Sequence, residues 1–429
     1  MKRKSKDYNS KIETLYGKLV KTVTFQVTED CNLCCTYCYQ ENKSKSKMTF
    51  ETARKFIDLL LTNQNEYINT SNSFGLIIDF IGGEPLLEIE LIDKISDYIL
   101  NEMIRLQHPW LLCTRFSFSS NGTLYFNPEF QKYLNKYRHW ISYSITIDGN
   151  KKLHDSCRLF PDGKGSYDLA MKASEHYRKN YIENLGTKIT LSPYNIQYFS
   201  EAIIDFIENG FDEINANCVF EEGWEAKHAT ILYEEIKKIS DYVFENNLED
   251  KIYLSILEED ACNPVDITVN DNNWCGGNGQ MLAVNHTGNL YPCLRYMESS
   301  LGKDVEPIII GHIDHGIGTT DKEKKWIEDL QAMTCSSQSE EECLRCPIGS
   351  QCAWCSAYNY QYHKKLNKRA THICIMHKAR ALALVYFWNK YYKKTNQDKK
   401  MECRVPRDWA LEIISEDEYN YLVELGKES

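Results

Sequence analysis

Thr22-Val23-Thr24-Phe25-Gln26-Val27-Thr28 runs almost directly into Cys31-Asn32-Leu33-Cys34-Cys35-Thr36-Tyr37-Cys38-Tyr39. The first stretch is β-branched and apolar and reads as a strand. The second puts four thiols within eight residues, too dense for packing alone. Cys31, Cys35 and Cys38 have the spacing Cys-x3-Cys-x2-Cys, which gives three thiolates and no obvious fourth. A metal centre with three protein ligands keeps a position open for chemistry.

Working outward, short β-rich runs alternate with amphipathic stretches as far as residue 222. The strands expected are Thr22–Thr28, Gly75–Phe80, Arg115–Ser119, Tyr143–Ile147, Thr187–Leu191 and Glu213–Phe220. Between them lie helical stretches at Thr49–Leu61, Glu90–Arg105, Pro128–Tyr137, Ser166–Tyr181 and Tyr198–Glu208. Such alternation implies βαβ units and a parallel sheet, either an open doubly wound sheet or an incomplete (β/α) barrel. In both, reactive groups gather at the C-terminal ends of the strands. The unusual residues fall there: the thiol loop after the first strand, Gly82-Gly83-Glu84-Pro85-Leu86 after the second, Ser120-Asn121-Gly122-Thr123 after the third and Asp148-Gly149 after the fourth.

Trp224–Asp260 reads as one long helix-rich segment, most periodic over Tyr233–Phe244, and Asn263–Trp274 as a turn-rich boundary. Beyond Cys275 the periodicity is lost, which suggests a small unit held by metal rather than by core. A helix from Cys374 to Tyr392 is expected to pack back on the barrel. The charged tail from Lys393 gives no pattern. The division expected is 1–19 an N-terminal extension, 20–222 the barrel, 223–274 a helical bridge, 275–377 the thiol-rich unit and 378–429 a final helix and tail.

The chain has 429 residues, 42% hydrophobic and 26% charged, with a net charge of −11. That balance fits a soluble protein with a sizeable core and speaks against nucleic acid as the main partner. The basic start Met1-Lys2-Arg3-Lys4 is followed by no apolar region, so it does not read as a signal peptide, and no apolar run is long enough for a membrane span. A cytoplasmic location is expected. Seventeen cysteines in a reducing compartment point to metal or redox use rather than disulfides. Isolated Cys113, Cys157, Cys218 and Cys403 read as ordinary buried thiols. Zinc is the alternative for the first loop, since Cys-x2-Cys pairs are often halves of structural zinc sites; no further pair follows before Cys113.

Taken together, Cys31-x3-Cys35-x2-Cys38-Tyr39, Gly82-Gly83-Glu84-Pro85, Ser120-Asn121-Gly122-Thr123, Thr146-Ile147-Asp148-Gly149 and His154-Asp155 with Arg158 resemble the radical S-adenosylmethionine (SAM) enzymes, over roughly residues 22–217. The resemblance implies a partial (β/α)6 TIM-like barrel. It implies that Cys31, Cys35 and Cys38 hold three irons of a 4Fe–4S cluster whose fourth iron is chelated by SAM. Gly82, Gly83 and Glu84 would steady the SAM amino group, Arg158 would pair with its carboxylate, and Asn121 and Thr146 would be polar contacts. Cys34 would be a bystander.

The later pattern resembles the SPASM extension of such enzymes, a small C-terminal domain binding two auxiliary iron–sulfur clusters, for a total of three 4Fe–4S clusters. By that analogy Cys275, Cys293 and Cys355 hold one, with Cys262 or Cys335 available as a fourth ligand. Cys343, Cys346, Cys352 and Cys374 hold the other. Sulfatase-maturating relatives place an Asp after the thiol of a Tyr-Pro-Cys segment; here Tyr291-Pro292-Cys293 is followed by Leu294 and Arg295. The sequence is instead similar to the maturases of CXXX-repeat peptides, which implies thioether formation in a ribosomally made, cysteine-containing precursor. Arg295 is then the candidate catalytic side chain, and a ferredoxin or flavodoxin the reductant. The alternative is formylglycine formation or another SPASM peptide modification.

Overall fold

The computed structural model describes residues 20–40, 42–63, 65, 67, 75–182, 186–221, 223–269, 271, 275–350, 352 and 354–427. The expected N-terminal extension and Trp274 therefore lie outside the described residues. The six expected strands form: β1 (Val20–Gln26), β2 (Gly75–Ile81), β3 (Thr114–Ser120), β4 (Ile141–Ile145), β5 (Gly186–Leu191) and β6 (Glu213–Cys218). β1 to β4 pair in order, all parallel, and β5 pairs parallel with β6. β4 and β5 adjoin without a hydrogen-bonded ladder. The result is the α/β, partial (β/α)6 barrel that the resemblance implies, one of the two architectures that the alternation leaves open.

Period-two alternation gives the sheet two unlike faces. On β3, Phe116 and Phe118 are buried while Arg115 and Ser119 are exposed. The buried side meets the helices. The Thr49 hydroxyl accepts from the Thr52 N–H at 3.1 Å and starts the helix Phe50–Thr62, whose Ala53, Phe56, Ile57, Leu60 and Leu61 are buried. Phe25 of β1 meets Phe56 edge-on at 5.1 Å and Phe80 of β2 at 5.8 Å. Each such ring stabilises the layer by about 1.5–3 kcal/mol through burial. The opposite, concave face is polar: Thr24, Asp79, Ser117 and Ser142 lie in one register row from β1 to β4.

Three regions differ from the sequence expectation. The helix-rich segment 224–260 contains the helix Ala226–Glu245 and, beyond the expectation, β7 (Tyr253–Leu254), which extends the β5–β6 sheet in parallel. Beyond Cys275 the chain does not leave the core. β8 (Met281–Val284) pairs in parallel with β1, from Thr22↔Met281 to Phe25↔Val284. β9 (Asn289–Tyr291), β10 (Gly311–His312) and β11 (Gly316–Ile317) continue the sheet antiparallel. The tail is also ordered. The helix Cys374–Lys394 packs on Ala226–Glu245, Phe387 stacking on Phe244 at 5.0 Å. The last helix, Glu416–Leu425, is tied to the same support by a Lys237–Glu418 ion pair of 2.7 Å. Cys113, expected to be buried, is exposed. Among the described residues no helix is long and apolar enough to cross a membrane.

Candidate active site at the strand ends

The first thiol loop leaves β1 and is clamped by the loop after β2. Gly82 and Gly83 are there because nothing larger fits. A Cβ on Gly82 would lie 2.5 Å from the Thr28 carbonyl oxygen, and one on Gly83 2.4 Å from the Asp30 oxygen and 2.6 Å from the Cys31 Cβ. The Glu84 N–H donates to the Asp30 carbonyl at 2.9 Å, so the thiol loop and the glycine loop move as one. The Glu84 carboxylate is buried and accepts from the Leu86 N–H at 3.0 Å, the Ser120 hydroxyl at 2.9 Å and the Asn121 N–H at 2.8 Å. Burial raises its pKa; the three donors and Arg158 oppose that. In this structure Glu84 therefore binds the β2 and β3 loops together. Asn121 donates to the Asn32 side chain at 2.8 Å, inside the thiol loop. The Thr146 N–H donates to the Ser120 carbonyl at 3.0 Å, extending the β3–β4 register.

Arg158 comes from just beyond the helix Lys151–Cys157. Its Nε donates to Asp148 Oδ2 at 2.7 Å, its Nη1 lies 3.9 Å from Cys35 Sγ, and its guanidinium stands 5.5 Å from the centre of the Tyr37 ring. The Tyr37 hydroxyl donates to the same Asp148 oxygen. Burial opposes the Arg158 charge, but Asp148 outweighs it and the group stays a fixed cation. His154 sets this arrangement from behind. Its Nδ1 accepts from the Asp148 N–H at 3.2 Å, so its Nε2 carries the proton and donates to the Ser166 hydroxyl at 3.0 Å. Ser166 in turn donates to the Arg158 carbonyl at 2.9 Å. Fully buried, His154 has its pKa pushed down to about 4. Asp148 Oδ1 is buried with no hydrogen-bond partner among the described residues. That is an acceptor beside a cation, suited to a donor group on a bound ligand.

Cys31, Cys35 and Cys38 are near enough to act on one another electrostatically; burial raises Cys35 to about 11, and Cys31 and Cys38 add to it. Cys34 is exposed. Lys43 bonds the Cys38 thiol, whose pull outweighs burial and raises the lysine's pKa. Among the described residues no three Cys, His, Asp or Glu side chains enclose a single ion. A cluster asks for something else, since its thiolates bind separate irons. Three close thiols, a fixed cation and a free buried acceptor fit a cluster together with an amino-acid-like ligand.

The later cysteines form two groups. Cys275, Cys293 and Cys355 act on one another, Cys293 and Cys355 being raised chiefly by burial. Cys352 bonds Cys374, and Cys343, Cys346 and Cys374 are mutually close. Cys262 faces Cys346. Cys335 lies 3.8 Å from Arg369 Nη2, the cation that also bears on Cys343, Cys346 and Cys374. Both candidate fourth ligands of the first group thus stand beside the second. Arg295 bridges the halves of the molecule: its Nη2 donates to Glu221 at 2.9 Å and its guanidinium lies 4.8 Å over the Tyr39 ring. Sequence reasoning missed Asp148 as the partner of Arg158, Lys43 and Glu221. Of these only Asp148, at a strand end, carried a signal.

Residues 25–206 match the Radical SAM superfamily. The chain carries a radical SAM domain. That family implies SAM and a 4Fe–4S cluster, which the fit of the first thiol loop accommodates. An uncharacterized protein of Methanocaldococcus jannaschii is 29% identical over 278 residues, 64% of this chain and 85% of that one. The radical SAM cyclopropyl synthase TigE of Paramaledivibacter caminithermalis is 29% identical over 213 residues, 47% of this chain but only 41% of its own length. Among solved structures, native anSMEcpe with bound AdoMet and the Kp18Cys peptide superposes with a TM-score of 0.61 at 18% identity, covering 88% of this chain and 99% of that one. At that identity the fold alone is what is shared.

Proposed function

We propose that this radical SAM protein modifies a ribosomally made, cysteine-containing peptide, joining a cysteine sulfur to a carbon to form a thioether. The observation that carries the reading is that Tyr39, covered by the Arg295 guanidinium at 4.8 Å, is acted on by thiols of both sets, Cys38 and Cys293. In this reading Cys31, Cys35 and Cys38 hold the SAM-binding cluster. Arg158 and Asp148 receive the amino-acid end of SAM, aided by Asn121, Thr146 and the Gly82-Gly83-Glu84 turn. Cys275, Cys293 and Cys355 hold one auxiliary cluster. Cys343, Cys346, Cys352 and Cys374 hold the second, with Cys262 and Cys335 beside it.

When bound and reduced by a ferredoxin or flavodoxin, the SAM site supplies a 5′-deoxyadenosyl radical that takes a hydrogen atom from the peptide. The protein's part is to hold reacting groups in register and keep water out. A peptide bound to a protein of this fold and a relative named as a cyclopropyl synthase support a substrate that undergoes bond formation. The test is anaerobic co-expression with a short cysteine-rich peptide and mass spectrometry. The expected product is two hydrogens lighter for each cross-link, with a cysteine that no longer alkylates. An aldehyde product instead would replace this reading with formylglycine formation.

A further inference from the structure

We propose that Asp79 is the catalytic residue that accepts the substrate thiol's proton when the carbon–sulfur bond forms. The inference rests on the thioether reading above and adds to it a base that neither thiol set provides. Asp79 sits in β2, within a run that reads as plain strand. Its neighbours Ile78 and Phe80 point into the core, so Asp79 points the other way, onto the concave face. In register it stands between Thr24 of β1 and Ser117 of β3. Asp79 is half-buried, and Ser119, Ser142 and Ser144 on the same face are exposed, which leaves that face open for a peptide to lie beside it.

Three observations separate Asp79 from an ordinary structural carboxylate. First, among the described residues no cation pairs with it, although burying an unpaired carboxylate is costly. Second, burial lifts its pKa to about 6 against a single opposing hydrogen bond, from Ser117. A base of that strength is largely ionised at neutral pH and still takes a proton readily. Third, its charge acts on the Tyr39 phenol, as do Cys38, Cys293 and Arg295. Asp79 therefore stands near a phenol that also feels a thiol of the first loop and one of the first auxiliary group. Among the described residues the titratable and charged groups linked to it are Tyr39 and, around that ring, Cys38, Cys293 and Arg295 with Glu221; Thr24 and Ser117 on the flanking strands are neutral.

The step balances. A substrate carbon loses its hydrogen atom to the SAM-derived radical, and the cysteine thiol gives its proton to the Asp79 carboxylate. The sulfur then bonds to the carbon, and one electron leaves to an oxidised iron–sulfur cluster. In total the peptide loses two hydrogens.

The test uses the full chain with its iron–sulfur centres restored, SAM, a reductant and a cysteine-containing peptide. For Asp79→Asn the ratio of cross-linked peptide to 5′-deoxyadenosine is expected to fall at least about 100-fold. A second readout needs no turnover: an infrared carboxyl band titrating near pH 6 in the wild type and missing from the variant. A ratio that stays at the wild-type value, or a band that titrates in the ordinary carboxylate range, overturns the inference and leaves the thioether reading standing. A wild type that cleaves SAM but never cross-links a peptide overturns both. Should Asp79→Asn not fold, Ser117→Ala decides. Losing that hydrogen bond moves the acid limb of cross-linking to higher pH if Asp79 is the base, and an unmoved limb overturns the assignment.

Discussion

Replacing Gly83 with alanine tests how the fold positions the first thiol loop. The added Cβ would lie 2.4 Å from the Asp30 carbonyl oxygen, 2.6 Å from its carbon and 2.6 Å from the Cys31 Cβ, where ordinary contact begins at 3.4 Å. None of these atoms is the end of a flexible side chain, so the two loops must separate by about 1 Å. The 2.9 Å hydrogen bond from Glu84 to Asp30 stretches with them. Overpacking of this kind costs about 1–3 kcal/mol, which should lower the melting temperature by a few degrees. Under the proposed ligand set, the larger consequence is that Cys31 no longer reaches its own iron while Cys35 and Cys38 hold theirs. Anaerobic iron analysis should show the loss of about four irons, from a wild-type content of about twelve under the proposed three-cluster reading. Gly163→Ala is the control: it has a φ of +82° and nothing within 4 Å of the added atom. It should cost about 1 kcal/mol of backbone strain and no iron. If Gly83→Ala melts and binds iron like the wild type, the clamp between the two loops is wrong.

Other consequences follow from the buried network behind Arg158. His154 is neutral with a pKa near 4 in the fold against about 6.5 unfolded. Its contribution is complete above pH 6.5 and is lost as pH falls through 4. Denaturant titrations should record a loss of about 3 kcal/mol between pH 7 and pH 4 that is reduced in His154→Gln. Arg158→Ala strands Asp148, which is fully buried, and should destabilise the chain by about 3–5 kcal/mol. Arg158→Met with Asp148→Leu should recover much of that stability while SAM binding, followed by calorimetry, stays lost.

Much of this was legible from one sequence because the signals are local. Thr22–Thr28, Gly75–Phe80 and their partners announce strands by composition, and each of the first four is followed at its C-terminal end by a contiguous cluster of unusual residues. The thiol loop and Gly82-Gly83 are contiguous motifs of that kind. What escaped depends on contacts distant in sequence. β8 is four residues long and becomes a strand only because β1 has an unpaired edge. The tail has sparse apolar residues such as Ile413 and Leu422, buried because the helix Cys374–Lys394 presents a face for them. Asp79 escaped because its neighbours made the run look uniformly apolar, although period-two alternation already sent it to the opposite face from Ile78 and Phe80. The placement of Cys262 and Cys335 is a matter of tertiary packing that thiol spacing does not encode.

In the proposed reaction a radical made at the first thiol loop takes its hydrogen from a bound peptide. That step is tested most directly by supplying the reduced protein with SAM and a peptide deuterated on its carbon positions, then weighing the 5′-deoxyadenosine formed. One deuterium is expected in that product, with cross-linked peptide in matching amount. Unlabelled 5′-deoxyadenosine beside an unchanged peptide would contradict it.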